Sequence, residues 1–258
     1  VWVAVRVPDD CISAHANQSR IHQFDMSDKN NCMYSPDVIS FAREKGYFDG
    51  VNKDFSFAKA YAPLDFGARR YCEARVWSYF NMFTAQGNEF LPYILGDTDT
   101  PMPLFVKPDR KISVQDVKNA MRDHYEGTPL DISKDFGAGP YHTPYRLSPL
   151  SFKVGDKEYF NERPISTQQS GFVFVAQMRS TLPDAIGGVL WFGTDDANMT
   201  VFTPVYCCTD KVPVCYSRAD GADYITFSWN SSFWIFNWVA NMVYPRYDLM
   251  IGDVRATQ

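Results

Sequence analysis

The sequence lacks the short motifs that identify a nucleotide or cofactor site. Its 258 residues contain no P-loop, no dinucleotide-binding glycine fingerprint and no nucleophile elbow. Six cysteines are present, but no two have the CxxC spacing typical of zinc sites. The net charge is −5 and no basic run occurs, which argues against a nucleic-acid-binding protein. We therefore predict no cofactor, no metal and no nucleic-acid partner.

Long apolar runs and an N-terminal leader are also missing. The most apolar segment, Ser231–Tyr244, is too short to cross a membrane. The chain begins at Val1, without Met and inside a strand-like pattern. We therefore expect it to be the later part of a longer protein, and its cellular compartment is not predicted.

The first stretch with a clear pattern is the N-terminal one. Apolar and other residues alternate from Val1 to Val7, Pro8-Asp9-Asp10 has turn chemistry, and an extended pattern resumes at Cys11. We predict a β-hairpin over Val1–Ile21 whose second strand ends at Asn17 and Arg20, where an amide and a guanidinium could face a ligand. A solvated hairpin end is the alternative.

Periodicity predicts both helices and strands in the rest of the chain, and therefore an α+β protein. The predicted helices are Asp37–Lys45, Asp65–Phe83, Ser113–Glu126 and Ser231–Tyr244, the last of them buried nearly all round. The runs GFVFVAQMR and GGVLWFG are predicted as central strands buried on both faces. Thr128–Leu150 is predicted as a long ordered loop.

Several polar residues are candidates for a site. Arg163 directly precedes a predicted strand and suits a carboxylate or thiolate partner, although a salt bridge to Glu162 explains it equally well. We interpret Asp123, His124 and Glu126 as a solvated helix end. Asp195-Asp196 is interpreted as a hairpin turn. The six cysteines are expected to be buried thiols, with a disulfide from Cys207 or Cys208 to Cys215 as the alternative.

Six segments, in order along nearly the whole chain, resemble one known family. They are Ala14–Ile21, Met121–Asp131, Gly137–Arg146, Glu162–Thr167, Phe172–Ala197 and Phe233–Tyr247. The sequence resembles the N-terminal-nucleophile (Ntn) cysteine dipeptidases related to secernins. The resemblance implies one Ntn-hydrolase domain over residues 1–258, with two packed sheets between helical layers (an αββα four-layer sandwich), as in bile salt hydrolases and penicillin V acylase.

The resemblance also implies a mechanism and two site residues. The family's nucleophile is a cysteine at the mature N-terminus whose α-amino group acts as general base, and its known activity is hydrolysis of dipeptides. Asn17 matches an asparagine that helps to hold the oxyanion. Arg163 matches an arginine close to the nucleophilic sulfur.

None of the six cysteines has the expected nucleophile context. We therefore expect an N-terminally incomplete fold whose nucleophile lies in an upstream segment that packs on this chain, and a chain that is inactive alone. The expected partner is a dipeptide, and a homo-oligomer is possible. Two alternatives stay open: a hydrolase of the same fold acting on another linear amide, such as a conjugated bile acid, and a non-catalytic domain that binds a peptide or glycan.

Overall fold

The computed structural model describes residues 1–146 and 151–258, which divide into two compact units. The first unit contains Val1–Lys111 and Ser151–Arg163. The second contains Ile112–Leu150, as far as it is described, and Pro164–Gln258. The last four residues of the predicted loop Thr128–Leu150 lie outside the described residues. The single domain expected over residues 1–258 stays a prediction.

Helices and strands are both present, so the α+β prediction is confirmed. The strands are β1 (Val3–Val5), β2 (Cys32–Tyr34), β3 (Ser151–Val154), β4 (Lys157–Phe160), β5 (Phe172–Met178), β6 (Gly188–Thr194) and β7 (Thr203–Tyr206). They form three antiparallel sheets, with the strand orders β1-β2, β3-β4 and β5-β6-β7.

The α-helices are α1 (Ser40–Glu44), α2 (Phe57–Tyr61), α3 (Phe66–Ala68), α4 (Ala74–Phe83), α5 (Leu91–Leu95), α6 (Val114–Ala120), α7 (Asp184–Gly187), α8 (Ser232–Val243) and α9 (Tyr247–Thr257). The three longest of these are α4 in the first unit and α8 and α9 at the C-terminus. A π-helical turn, Arg69–Glu73, connects α3 to α4. None of the helices described is long and apolar enough to cross a membrane.

The predicted N-terminal hairpin is wrong. Val3–Val5 pairs with Cys32–Tyr34, and the Cys11–Ala16 stretch forms only an isolated bridge from Ile12 to Val106. Both partners are far along the sequence, so the local alternation that suggested a hairpin could not identify them. The polar cluster after Ala16 therefore lies on a bend and not at the end of a strand.

The predicted helix Asp65–Phe83 is confirmed as the continuous segment α3, π-turn and α4. The Asp65 side chain caps its start by accepting a hydrogen bond from the Ala68 amide at 2.6 Å. Trp77 and Phe80 on α4 are completely buried in the first unit. Their burial makes this segment a rigid support for the polar side chains that it carries.

The three-stranded sheet of the second unit is buried on one face only, which corrects the prediction for β5 and β6. Val173, Val175 and Val189 point into the core. On the other face Phe172, Phe174 and Met178 are exposed, and the Phe172 ring stacks on those of Phe174 and Phe192. Strands whose solvent-exposed face is apolar have the same continuous hydrophobic sequence as strands buried on both faces.

The helices of the second unit follow their local signals closely. Ser113 and Asp116 form the capping box that begins α6, although the helix ends at Ala120 and not at Glu126. Helix α8 has the predicted bounds to within a residue, but it is not buried all round, because Trp238 and Met242 are half exposed. A small core cluster joins it to α9: Met199, Ala240, Val243, Tyr247 and Ile251.

Candidate functional site

Asn17 lies on an exposed bend in a strained backbone conformation. Its φ angle is 59°, in the left-handed region that asparagine tolerates better than most residues. Backbone strain of this kind is frequent at functional sites.

The Asn17 amide is oriented by Arg75 of α4. The Nη2 group of Arg75 donates to Oδ1 of Asn17 at 3.0 Å. Because a guanidinium can only donate, the oxygen of the amide must face Arg75, and the NH2 group must face away. The Nδ2 atom has no hydrogen-bond partner within residues 1–146 and 151–258. Asn17 therefore presents a free donor on the exposed bend.

Arg20, by contrast, has its donors engaged within the protein. It is 5% exposed, and its Nε lies 3.0 Å from a carboxylate oxygen of Glu73, which is 4% exposed. Its remaining nitrogens donate to the carbonyl oxygens of Ala14, Met102 and Pro103 at 3.0–3.3 Å. Arg20 thus joins the bend to the π-helical turn, and the role predicted for it from the sequence, a donor offered to a ligand, stays a prediction.

A cavity of about 570 Å³ opens in the first unit next to this bend. Its polar wall consists of Gln18, Ser19, Arg20, His22, Gln23, Asp54, Ser56, Lys59, Arg69, Glu73, Tyr93 and Asp99. The wall thus carries cationic, anionic and hydroxyl groups together. Asn17 lies on the bend directly before Gln18 but does not itself line the cavity, and Arg163 does not line it either.

Two side chains in the cavity wall have perturbed pKa values. Burial and the charges of Lys59 and Arg20 lower the pKa of His22, whose Nδ1 lies 3.0 Å from Oγ of Ser56. His22 is therefore neutral at pH 7. Burial and the neighbouring Glu73 carboxylate raise the pKa of Tyr93 to about 12, so its hydroxyl keeps its proton and can donate.

Arg163 is half-buried in an irregular segment well before β5, which begins at Phe172. The prediction that it directly precedes a strand is therefore wrong. Its neighbour Glu162 is buried and accepts from Nη2 of Arg70 at 2.6 Å. Asn17 thus contacts the helical segment through Arg75, and Glu162, the residue before Arg163, contacts the same segment through Arg70.

The six cysteines are free thiols, and they are not uniformly buried as predicted. Cys32 and Cys72 are buried, whereas Cys207, Cys208 and Cys215 are exposed. Burial and the Asp10 carboxylate raise the pKa of Cys11, which is the opposite of what a thiolate nucleophile requires. None of the six lines the cavity.

The second unit contains a buried polar cluster that the sequence did not indicate. Asp123 and His124, predicted as a solvated helix end, are buried, and so is the Asp195-Asp196 turn. The Asp196 carboxylate accepts hydrogen bonds from the Tyr145 hydroxyl at 2.9 Å, the Ser166 hydroxyl at 3.2 Å and the backbone N–H of Asn198 at 2.6 Å. The hydroxyls of Tyr145 and Ser166 come from segments 51 and 30 residues away, which explains why local sequence patterns gave no sign of the cluster.

Two atoms of this cluster have no hydrogen-bond partner in the part of the chain that the structure describes: Nε2 of His124 and Oδ2 of Asp195. Burial and the charge of Asp196 raise the pKa of Asp195 to about 7. Among the described residues, no three His, Cys, Asp or Glu side chains converge as metal ligands. The cluster is thus a hydrogen-bonded core feature and differs in kind from the open cavity.

Comparison with known proteins gives consistent matches along the chain. The family model for Peptidase family C69 matches residues 1–258. A "Probable dipeptidase" from Salmonella dublin is 33% identical over 205 residues, which cover 80% of this chain and 42% of the relative. A "Probable dipeptidase" from Latilactobacillus sakei is 30% identical over 74% of this chain and 35% of its own length. "Dipeptidase A" from Lactobacillus helveticus is 24% identical, with 91% and 43% covered. The chain therefore spans less than half the length of these curated relatives.

Proposed function

Because this chain belongs to peptidase family C69, we propose that the protein containing it hydrolyses the peptide bond of dipeptides through a cysteine nucleophile. The names of the relatives support the substrate class. The observation that carries the proposal in this chain is the Asn17 amide, held by Arg75 so that its NH2 group is free on an exposed, strained bend.

In this proposal Asn17 is an oxyanion donor. When a thiolate attacks the peptide carbonyl carbon, a C–S bond forms and the carbonyl π electrons move to the oxygen. A fixed N–H donor stabilises the negative charge that develops there, and losing one such donor typically costs about 2.7–4 kcal/mol of barrier. As the tetrahedral intermediate collapses, the C–N bond breaks and the amine leaves with the proton that the α-amino group of the nucleophilic cysteine took from its thiol. Water then attacks the thioester, the C–S bond breaks, and the acid and the thiol are released.

The nucleophilic thiol itself is proposed to come from polypeptide outside these 258 residues. The cysteines of this chain do not line the cavity, and the pKa values of Cys11 and Cys32 are raised by burial. We assign Arg163 to the surroundings of that sulfur, where a guanidinium lowers the pKa of a thiol and favours the thiolate.

The cavity next to Asn17 is proposed to hold the dipeptide. Its volume of about 570 Å³ lies within the range of about 300–1,000 Å³ that is typical of small-molecule sites. A dipeptide has a charged ammonium and a charged carboxylate. A wall that carries Lys59 and Asp54, together with the Arg69–Asp99 ion pair at 2.9 Å, suits such a zwitterion.

We further propose that the complete protein has the αββα Ntn-hydrolase fold. The support is the exposed apolar face of β5 and β6, with Phe172, Phe174 and Met178 half to three-quarters exposed. A second sheet packed on this face would bury it, as in sheet-on-sheet packing generally.

The test is hydrolysis of a dipeptide panel by the full-length protein, before and after alkylation of its thiols, with acyl amides as a parallel panel. Dipeptide turnover that alkylation abolishes supports the proposal. Turnover of acyl amides alone, turnover that survives alkylation, or binding without turnover would contradict it. In the active protein we expect Asn17→Ala to lower kcat about 100-fold or more while the midpoint of thermal unfolding changes little.

A further inference from the structure

Arg75 holds Asn17 by several contacts at once. Its Nη2 donates to Oδ1 of Asn17 at 3.0 Å and to the carbonyl oxygen of Ala16 at 3.4 Å. Its Nε donates to the carbonyl oxygen of Tyr71 at 2.8 Å. One planar guanidinium thus connects the helical segment to both the backbone and the side chain of the bend.

The helical segment is built to keep this guanidinium in place. Tyr71 lies in the π-helical turn Arg69–Glu73, and π-helical turns occur frequently at functional sites. Ala74 and Val76, on either side of Arg75, are 0% and 1% exposed. The base of the Arg75 side chain is therefore fixed by the core, and its Nε is fixed by the turn before it.

We propose that Arg75 is a positioning residue for catalysis, which sets the direction in which the Nδ2 group of Asn17 donates. This inference rests on the proposed function, in which Asn17 stabilises the oxyanion. Without Arg75, the Asn17 amide can rotate about its last side-chain bond, and the left-handed backbone at Asn17 loses the contact at Ala16. The Nδ2 donor of Asn17 is then no longer oriented before the oxyanion forms. Stabilisation of the transition state therefore weakens, whereas the affinity for the substrate does not change.

The test is a double-mutant cycle in the full-length protein, with kcat and KM measured on one good dipeptide substrate for wild type, Arg75→Met, Asn17→Ala and the double variant. We expect Arg75→Met to lower kcat about tenfold to 100-fold with KM within about twofold of wild type. In the Asn17→Ala background, Arg75→Met should cause no further loss, since it acts only through the missing amide.

The chain offers a closely matched control. Arg43 also donates from its guanidinium to an asparagine Oδ1, that of Asn52 at 2.7 Å, and to a backbone carbonyl, that of Gly50 at 2.8 Å. Neither Arg43 nor its partner Asn52 lines the cavity. Arg43→Met should therefore leave kcat and KM unchanged.

Arg75→Lys keeps the cation and provides a second test should Arg75→Met fold poorly. A single ammonium cannot reach the three acceptors together, so we expect a kcat between those of wild type and Arg75→Met. Wild-type kcat in both Arg75 variants, or losses from Arg75→Met and Asn17→Ala that simply multiply, would overturn the inference. If Asn17→Ala itself keeps wild-type kcat, the proposed role of Asn17 fails first, whatever the Arg75 variants do.

Discussion

Both units of the molecule bury carboxylates, but they neutralise them differently. In the first unit Glu73 pairs with Arg20 and Glu162 pairs with Arg70. The side chains of both pairs are at most 12% exposed. In the second unit, Asp196 is held by hydroxyl and amide donors, and neither it nor Asp195 forms a salt bridge among the residues that the structure describes.

This difference has a consequence for ionisation. A cation beside a buried carboxylate favours its charged form, whereas burial without a cation favours the neutral acid. In the second unit, burial raises the pKa of Asp195 to about 7, and it raises that of Asp196 even though Tyr145 and Ser166 donate to it. The first unit thus uses ion pairs as rigid connections next to the candidate site, and the second contains acids whose protonation depends on pH.

The largest effect is expected from breaking the ion pair at the cavity wall. Arg20→Met leaves the Glu73 carboxylate buried without its cation, and such losses typically cost about 3–5 kcal/mol. Urea denaturation of the variant should therefore show a much lower free energy of unfolding. A loss below about 1 kcal/mol would mean that the pair is not a structural connection.

Asp195→Asn should reveal the contrasting behaviour of the second unit. In the folded protein Asp195 keeps its proton up to about pH 7, whereas the unfolded chain releases it near 3.8. Wild-type stability therefore falls as pH rises between these values and is constant above them. Asparagine cannot ionise and tolerates the left-handed φ of 68°. We expect the variant to be more stable than wild type at pH 8, by on the order of 4 kcal/mol, and nearly equal to it at pH 4. Parallel pH profiles of the two proteins would refute the raised pKa.

Tyr145→Phe should have an intermediate effect. It removes the hydroxyl that donates to Asp196 and lies 2.6 Å from the Tyr244 hydroxyl, which leaves a buried acceptor with one partner fewer. The expected cost is about 1–3 kcal/mol. The cost should grow with rising pH, since the lost bond favours the charged form of Asp196. Thermal unfolding at pH 5 and pH 8 measures both quantities, and no loss at either pH would show the network to be unimportant.

The smallest effect is expected at an exposed pair. The side chains of Arg6 and Asp9 are 61% and 88% exposed, so the salt bridge of 3.2 Å between them is surrounded by solvent. Arg6→Met should change stability by less than about 1 kcal/mol, and added salt should remove even that difference. A larger loss would mean that burial does not decide the strength of ion pairs in this protein.

The sequence predicted the features that depend on neighbours along the chain. The helical segment from Asp65 to Phe83, the start of α6 after Ser113, and helix α8 all follow from local spacing. The strands β5 and β6 were predicted too. The sequence did not show that only one of their faces is buried, because burial depends on what packs against the sheet.

The features that were missed depend on distant partners. The pairing of β1 with β2 joins Val3 to Tyr34, and the burial of His124 and Asp196 depends on segments up to dozens of residues away. At the candidate site, the sequence indicated Asn17 through family resemblance, but Arg75 could not be recognised as its partner. An arginine on a half-buried helix face has many possible acceptors, and only the fold selects one.

The most direct test of the catalytic role proposed for Asn17 is the turnover of Asn17→Asp in the full-length protein. Aspartate has the same shape, tolerates the left-handed backbone and binds Arg75 more strongly, but it lacks the NH2 donor and is negatively charged where the oxyanion forms. We predict a thermal unfolding midpoint equal to or above that of wild type, with kcat lower by about 100-fold to 1,000-fold. A variant that turns over dipeptides at the wild-type rate would contradict the oxyanion role of Asn17.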